Sequence, residues 1–301
     1  MSDFVQQQNS ICDFNSSDSW VILSPIEQSI KRKIEAVGTP LKDWDIQINY
    51  GIKTGFNDAF IISTEKRNEI LSNCKTEDER KRTAELIRPI LRGRDIKRYG
   101  YVDNGLYLIN THNGVRGRIP RINIEDYPAV KAHLDQYWDR IATRADKGDT
   151  PYNLRNCAYL EDFNKPKVVY MEIQTDNPEE GYPFPCYSYD DKRCVVLNTA
   201  YIMSSETLDP RYVLGILNSR LGKFLVKLYV TQLQERQFRM LSQYVMKFPI
   251  ARPTREQEKE MTHLVQDILV NKSIASENRI DELAFQIYKL SEQETKILIS
   301  R

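Results

Sequence analysis

The residues best suited to chemistry lie in four short stretches rich in glycine, arginine and amides. The first is Tyr50-Gly51-Ile52-Lys53-Thr54-Gly55-Phe56-Asn57, where two glycines four apart permit a tight turn or a close backbone approach. Lys53, Thr54, Gly55, Phe56 and Asn57 offer an ammonium, a hydroxyl, a backbone N–H, a ring and an amide to a phosphate or a base edge. Lys53 precedes the second glycine, so the order is not that of a Walker P-loop, and a plain structural turn would use the same residues. The second stretch sets Arg92, Arg94, Lys97 and Arg98 around Gly93 and follows them with Tyr99 and Tyr101. The planar guanidinium suits phosphate oxygens and the O6/N7 edge of guanine; in a merely solvated turn, Asp95 would pair one of these arginines. In the third, His112, Asn113, Arg116 and Arg118 occupy a glycine-punctuated loop with the same potential. The fourth carries Gln232, Gln234, Arg236, Gln237 and Arg239; glutamine pairs bidentately with adenine and arginine with guanine, although a surface helical turn would also use these residues.

Charge supports a polyanionic partner locally, not globally. The 301 residues carry a formal net charge of +1, lower than is usual for a free-standing DNA binder. From Arg80 to Arg121, however, eleven Lys and Arg face three acids, a local excess of eight positive charges. From Thr254 onward seven basic residues face nine acidic ones, as in a scaffold. No apolar run approaches a membrane span and the N-terminus lacks signal-peptide regions, so a cytoplasmic protein with no membrane partner is expected. Five cysteines without a Cys-x-x-Cys pair and three scattered histidines predict reduced structural thiols and no zinc site.

The elements that must position these stretches follow from caps and periodicity. Residues 1–24 read as a polar, flexible lead-in. Ser24-Pro25-Ile26-Glu27 is a capping box with proline at the first helical position, followed by Ile26, Ile30 and Ile34 at helical spacing and by Gly38. Trp44 to Ile48 alternates as a strand delivering the glycine loop, and Ala59 to Ile62 reads as a buried strand leaving it. Helices are predicted near 64–72 and from Thr76 to before Pro89, a strand over Leu106 to Ile109, and a helix from Tyr127-Pro128 with Val130, Leu134, Tyr137 and Ile141 inside. Arg144 to Asp149 and Tyr152 to Arg155 read as an exposed connection of mixed charge. Runs Lys167 to Ile173 and Cys194 to Met203 are β-rich, with a proline-rich loop between them. Asp209-Pro210 opens a buried helix reaching about Tyr229. Thr254 to Gln257 caps a helix that a polar break separates from a second one, an α-hairpin suited to bracing the body or to dimerisation.

Taken in order, these stretches resemble the TaqI-like C-terminal specificity domain, the target-recognition part of type IIG restriction-modification enzymes and related adenine methyltransferases. The resemblance rests on Gly51-Ile52-Lys53-Thr54-Gly55 as a Gly-Ile-x-Thr-Gly signature, Leu91 to Tyr99, Tyr127-Pro128, Lys165-Pro166-Lys167-Val168-Val169-Tyr170, Ile216-Leu217-Asn218-Ser219, and Ile280 to Ala284 through Ile287 to Leu290. It implies an α+β fold: a twisted β-helix-like specificity body over 25–250 and a C-terminal α-hairpin over 251–301. The four stretches would converge on one face that binds double-stranded DNA, with Tyr152 standing where the family commonly has a tryptophan. It also implies methyltransferase and nuclease parts N-terminal to this region or in a separate subunit, using S-adenosylmethionine and Mg2+, and a target adenine flipped into the methyltransferase.

An adenine methyltransferase needs an Asn/Asp-Pro-Pro-Tyr/Phe loop, and no Pro-Pro occurs in this sequence. Neither a glycine-rich turn for S-adenosylmethionine nor a nuclease's acidic cluster with lysine is evident, so no catalytic residue, metal site or cofactor is expected here. Two other readings stay open: a nucleotide-phosphate-binding enzyme built on the Gly51 to Gly55 loop, and a protein-interaction scaffold built on the α-hairpin.

Overall fold

The computed structural model describes residues 23–181 and 183–300, so the lead-in expected over 1–24 lies, save its last two residues, outside them. In chain order the elements are α1 (Pro25–Val37), β1 (Gly38–Pro40), β2 (Gln47–Tyr50), α2 (Asn57–Phe60), β3 (Ile61–Ser63), α3 (Thr64–Ser72), α4 (Glu77–Leu86), β4 (Ile87–Leu91) and β5 (Leu106–Ile109). There follow α5 (Pro128–Asp135), α6 (Trp138–Ile141), β6 (Lys167–Met171), β7 (Ile173–Thr175), β8 (Tyr187–Asp190), β9 (Val195–Val196), β10 (Ala200–Ser204), α7 (Pro210–Asn218) and α8 (Arg220–Tyr229). The last are β11 (Gln232–Gln234), β12 (Gln237–Arg239), α9 (Ser242–Val245), β13 (Pro249–Ala251), α10 (Arg255–Asn271), α11 (Ile274–Ile287) and α12 (Glu292–Ile299). The fold is mixed α and β, with twelve helices and four small sheets among the described residues. None of the described helices is long and apolar enough to cross a membrane.

The chain divides into two compact units, each assembled from separated segments. One comprises the described parts of 1–46, 173–187 and 205–301. Ser24 and Glu27 form the reciprocal capping box that starts α1, and β1 leaves it to pair antiparallel with β13. A Cβ at Gly38 would lie 2.3 Å from the Pro249 carbonyl oxygen, so this approach requires glycine. Helices α10 and α11 form the expected α-hairpin, laced by Asp267 with Ser276 and by Glu260 with Arg279. The hairpin braces its own unit: Met261 packs on Gly215 of α7, and the Tyr288 hydroxyl donates to the Pro249 carbonyl (2.9 Å) and accepts from Ala251 N–H (2.8 Å). Helix α12 then docks on α1 through Glu294, which accepts from Lys33 Nζ at 2.6 Å and from the Ser29 hydroxyl at 2.8 Å.

The other unit comprises 47–172 and 188–204. Its first sheet has the order β2-β10-β6-β8, with β8 entering the unit at Ser188. Its second has the order β3-β5-β4-β9, antiparallel except for the parallel β4–β9 pair (Ile90 with Val195, Leu91 with Val196). Val168, Val169, Tyr170, Ile202, Leu108 and Ile109 are buried in its core. The core also holds a lysine. Lys167 Nζ donates to Asp190 Oδ2 at 2.5 Å and to the Phe163 carbonyl at 2.9 Å, and both charged side chains are 0% exposed. Asp190 accepts in addition from the Tyr101 hydroxyl (3.0 Å) and Cys194 N–H (3.0 Å), so its remaining lone pairs are satisfied.

Two expected strands differ at their ends. Ala59 and Phe60 are buried, but in a single helical turn closed by Ile61 N–H on the Asn57 carbonyl; the strand starts at Ile61. A short apolar run does not distinguish the two geometries. Trp44 and Ile46 stay outside β2 because Trp44 closes a 3₁₀ turn on Leu41 and its indole donates to the Thr39 carbonyl at 3.0 Å. Cys74, Cys157, Cys186 and Cys194 are free thiols, and Cys12 lies outside the described residues.

Lys167→Met strands the Asp190 carboxylate without its ion partner and is expected to destabilise the protein by about 3–5 kcal/mol, read as a lower urea midpoint. The Glu294 carboxyl is held at about 2, below the ordinary 4.5: burial alone would raise it, and the Lys33 ammonium with the Ser291 and Ser29 hydrogen bonds more than reverses that. A lowered carboxyl pKa adds stability above the unfolded value, and this is lost as pH falls from 4.5 towards 2. Glu294→Gln therefore melts below the wild type at pH 7, and thermal melts at successive pH values show the gap closing across that acid window.

Candidate nucleic-acid interface

The most exposed cations of the third stretch sit at the tip of a tight, hydrogen-bonded hairpin. Val115 and Ile119 exchange both backbone hydrogen bonds (2.8 and 2.9 Å), making a tight hairpin that carries Arg116, Gly117 and Arg118 at its end, all exposed. Gly117 has a φ of +77°, which a tip this tight requires, and nothing within 4 Å of a Cβ position. Gly114 (φ +75°) brings the hairpin's base so close that a Cβ would lie 2.5 Å from the Ile119 oxygen. His112 works in the frame: burial and the neighbouring Arg88 push its pKa down, and its Nδ1 accepts from Gly114 N–H at 3.2 Å. Held neutral near pH 7, it is an acceptor rather than a cationic phosphate ligand.

The frame beneath the hairpin comes from the segment 144–156, read from sequence as an exposed connection. That expectation is corrected. Arg144 is buried, donates to the carbonyls of Asp146 (3.3 Å), Pro151 (2.8 Å) and Asn153 (2.6 Å), and lies over the Phe60 ring. Burial lowers its pKa to about 10, against the opposing pull of Asp146, so it stays charged at neutral pH. Asn153, 1% exposed, donates to the carbonyl of Ile122 at 3.0 Å and reaches those of Thr111 and His112, clamping the hairpin strands. Asn113 donates to Asp149 Oδ1 at 3.0 Å and accepts from Asp149 N–H at 2.9 Å. Between hairpin and connection runs an open groove of about 840 Å³ lined by Asn113 to Arg121, Asp149 and Asn156 to Ala158. Tyr152 packs its ring on Trp138 and donates to Asp135 at 2.6 Å.

The glycine loop belongs to the same assembly. A Cβ at Gly51 would lie 2.3 Å from the Leu197 and Val196 oxygens, and one at Gly55 (φ +71°) would lie 3.0 Å from Arg144 Cδ. Lys53 is exposed and pairs with Asp146 at 3.3 Å, beside Arg155 on the other carboxylate oxygen. Thr54 is buried and spends its hydroxyl on Asn57 Oδ1 at 2.6 Å. Phe56 packs under Arg140 and against Tyr137. Lys53, Gly55 and Asn57 face solvent; Thr54 and Phe56 hold the loop's shape.

The Arg92 to Tyr99 turn is internally satisfied on one side. Arg92 clasps Asp95 with two 2.9 Å hydrogen bonds, and Asn104 adds a third at 2.9 Å. Burial would raise the Asp95 pKa, but the Arg92 hydrogen bonds and charge lower it overall. Tyr99 is buried under Arg98, while Arg94 and Lys97 remain exposed. The turn joins the glycine loop through the segment 195–199: Leu197 N–H donates to Leu91, Ile52 N–H to Val196, and Gly93 N–H to the Thr199 hydroxyl.

The fourth stretch lies in the other unit and is a β-hairpin, not a helical turn. Strands β11 and β12 pair antiparallel, β12 adds to β7, and Arg236 takes the left-handed φ of 62° at the bend. Gln232, Gln234, Arg236 and Arg239 are exposed and Gln237 half-buried, while Phe238 anchors the hairpin by stacking on Phe184. The sequence pointed to the exposed arginines but not to Arg144, Asn153, Asp146 or Asp149, whose roles depend on long-range closure that leaves no local pattern.

This arrangement can be set beside known proteins. The profile of the TaqI-like C-terminal specificity domain matches residues 88–250, more than half of the chain, and the chain belongs to that family. The match contains the Arg92 turn, the Arg116 hairpin and the glutamine hairpin; the glycine loop precedes it. The chain is 23% identical over 296 residues to the type II methyltransferase M.BstVI of Geobacillus stearothermophilus, covering 95% of this chain and 47% of that protein. It is 22% identical over 290 residues to the type II methyltransferase M.PaeR7I of Pseudomonas aeruginosa, covering 94% and 45%. It thus spans about half the length of these relatives. In fold it is similar to the type IIL restriction-modification enzyme MmeI, solved in complex with DNA, with a TM-score of 0.57 at 14% identity, over 87% of this chain and 37% of that one.

If Asn153 clamps the hairpin, Asn153→Ala removes its hydrogen bonds to three carbonyls and costs about 1–3 kcal/mol. Hydrogen exchange is expected to accelerate at the Val115 and Leu154 amides more than at those of β6.

Proposed function

We propose that this chain is the double-stranded DNA target-recognition part of a type II restriction-modification enzyme that methylates adenine, with methyl transfer and cleavage supplied by parts outside this sequence. S-adenosylmethionine and Mg2+ would serve those parts. The observation that carries the proposal is the Arg116-Gly117-Arg118 tip, projected beside an open basic groove by a frame of buried Arg144 and Asn153. Arginines held rigidly at an exposed turn meet phosphates or guanine edges without first losing backbone entropy. Lys53, Arg94, Lys97 and Arg121 extend the positive surface for phosphate contacts, and the glutamine hairpin would supply amide readers. Parallel pairings of Ile52 with Leu197, Ile90 with Val195 and Tyr99 with Ser188 support the twisted β-helix-like reading of the body. Family membership supports a specificity role.

Selection from a random duplex library at low and moderate salt tests the reading; enrichment of one short motif is expected. The double variant Arg116→Ala/Arg118→Ala should weaken binding and reduce the magnitude of the slope of log K against log salt by about 1–2. Absence of binding at both salts overturns the reading. It would favour the interaction scaffold instead, for which the exposed Val270 and Ile274 at the α-hairpin's tip provide an apolar contact.

A further inference from the structure

Two cations that line the groove, Arg118 and Arg121, and two on the adjoining glycine loop and connection, Lys53 and Arg155, are already engaged by carboxylates of the same unit. Lys53 and Arg155 each lie 3.3 Å from one oxygen of Asp146. Arg121 lies 3.3 Å from Asp149, and Arg118 at the hairpin tip pairs with Glu161 of the 3₁₀ turn Leu160–Asn164. Among the described residues, Arg116 is the tip's cation without a carboxylate partner. Each of these pairs is at least partly exposed, Arg118 and Glu161 at 62% and 50%, so each adds little to folding stability and is readily exchanged. Three carboxylates whose exposed ion pairs add little to stability, yet which hold cations that the DNA-recognition reading assigns to phosphates or base edges, call for a different account.

We propose that Asp146, Asp149 and Glu161 are specificity-determining residues that occupy cations in and beside the groove as phosphate stand-ins, an inference that rests on the DNA-recognition reading. A duplex entering the groove must displace them, and the freed carboxylates then repel the phosphates nearby. Contacts to a matched sequence offset this penalty through base-edge hydrogen bonds, whereas a random sequence has only its backbone charge to do so. The carboxylates therefore lower non-specific binding more than specific binding, at positions that need touch no base. Counterion release reinforces the effect: as a phosphate meeting Arg118 sheds its small cation, the displaced Glu161 carboxylate attracts one, so the net release is smaller. Glu161 is the cleanest member to remove, because Asp149 also holds Asn113 and the Asp146 carboxylate is shared by two cations, Lys53 and Arg155.

The test compares Glu161→Gln with wild type on the selected target duplex and on a random duplex, by fluorescence anisotropy over a salt series. Glu69→Gln, which removes a carboxylate from an exposed Lys66 pair on α3 outside the groove, controls for net charge. Circular dichroism melts confirm that both variants fold. The expected result is a two- to fivefold tighter grip on random duplex for Glu161→Gln, a smaller gain on the target, a salt slope steeper by about one, and no such change for Glu69→Gln. Equal or weaker random-duplex binding by Glu161→Gln, with wild type still binding DNA, overturns the proposal while leaving the recognition reading intact. Loss confined to the target would do the same, making Glu161 a base reader that accepts from cytosine. Failure of wild type to bind either duplex removes the reading and the proposal together.

Discussion

An ammonium with no access to water stays inside a protein only where a carboxylate and further acceptors surround it, and that constraint organises the unit bearing the groove. Lys167 stands on β6 and Asp190 at the end of β8, so their 2.5 Å contact fixes where these strands meet. Asp190 also receives Tyr101 from the end of the Arg92 turn and Cys194 N–H from the approach to β9. Burial lowers the Lys167 pKa and Asp190 opposes that shift, the balance expected of a pair that must be kept together once formed. From β9 the chain runs through 195–200, which takes hydrogen bonds from Gly51 (at Ala200) and Ile52 (at Val196) on one side and from Gly93 (at Thr199) on the other. The shape of two of the four sequence stretches thus depends on one buried pair. It gives the Lys165-Pro166-Lys167 stretch, noticed only as a family resemblance, a physical role: its second lysine is a core residue.

A second constraint governs the hairpin. Its tip is exposed and polar, with little apolar burial to hold it, and its rigidity comes from below. Arg144 satisfies carbonyls of its own segment, and Asn153 carries that order across to the strands of the hairpin. Buried polar groups of this kind stabilise a particular loop geometry only if every partner is present. The arrangement places the exposed tip on a support of buried, hydrogen-bonded polar groups.

Much of this was legible locally. The capping boxes at Ser24 and Thr254, the N-caps at Thr76 and Asp209, the helix Thr64–Ser72 and the strand Leu106–Ile109 depend on residues within a turn or on alternation, and the structure shows each in place. The exposed arginines of the Arg116 loop were visible because glycines punctuate them. What sequence could not show is whatever closes over distance. The assembly of one unit from 23–46, 173–187 and 205–300 leaves no local mark, nor does the burial of Arg144 in a segment that reads as solvated. The glutamine stretch pairs as a hairpin because β7, more than fifty residues earlier, offers it a ladder, which overrides the helical alternative. Asp95 and Arg92 illustrate the intermediate case: their pairing was one of two readings open in sequence, and geometry selected it while leaving Arg94 and Lys97 exposed.

The central claim is that the groove between the Arg116 hairpin and the 144–158 connection is where DNA is met. Hydrogen exchange of the chain with and without a saturating duplex measures this directly. The account predicts slowed exchange at the backbone amides of Val115, Arg118 and Ile119 and across 144–158, with α10 and α11 unchanged. Slowing confined to α10 and α11, or none anywhere in the groove-bearing unit while the duplex is bound, would contradict it.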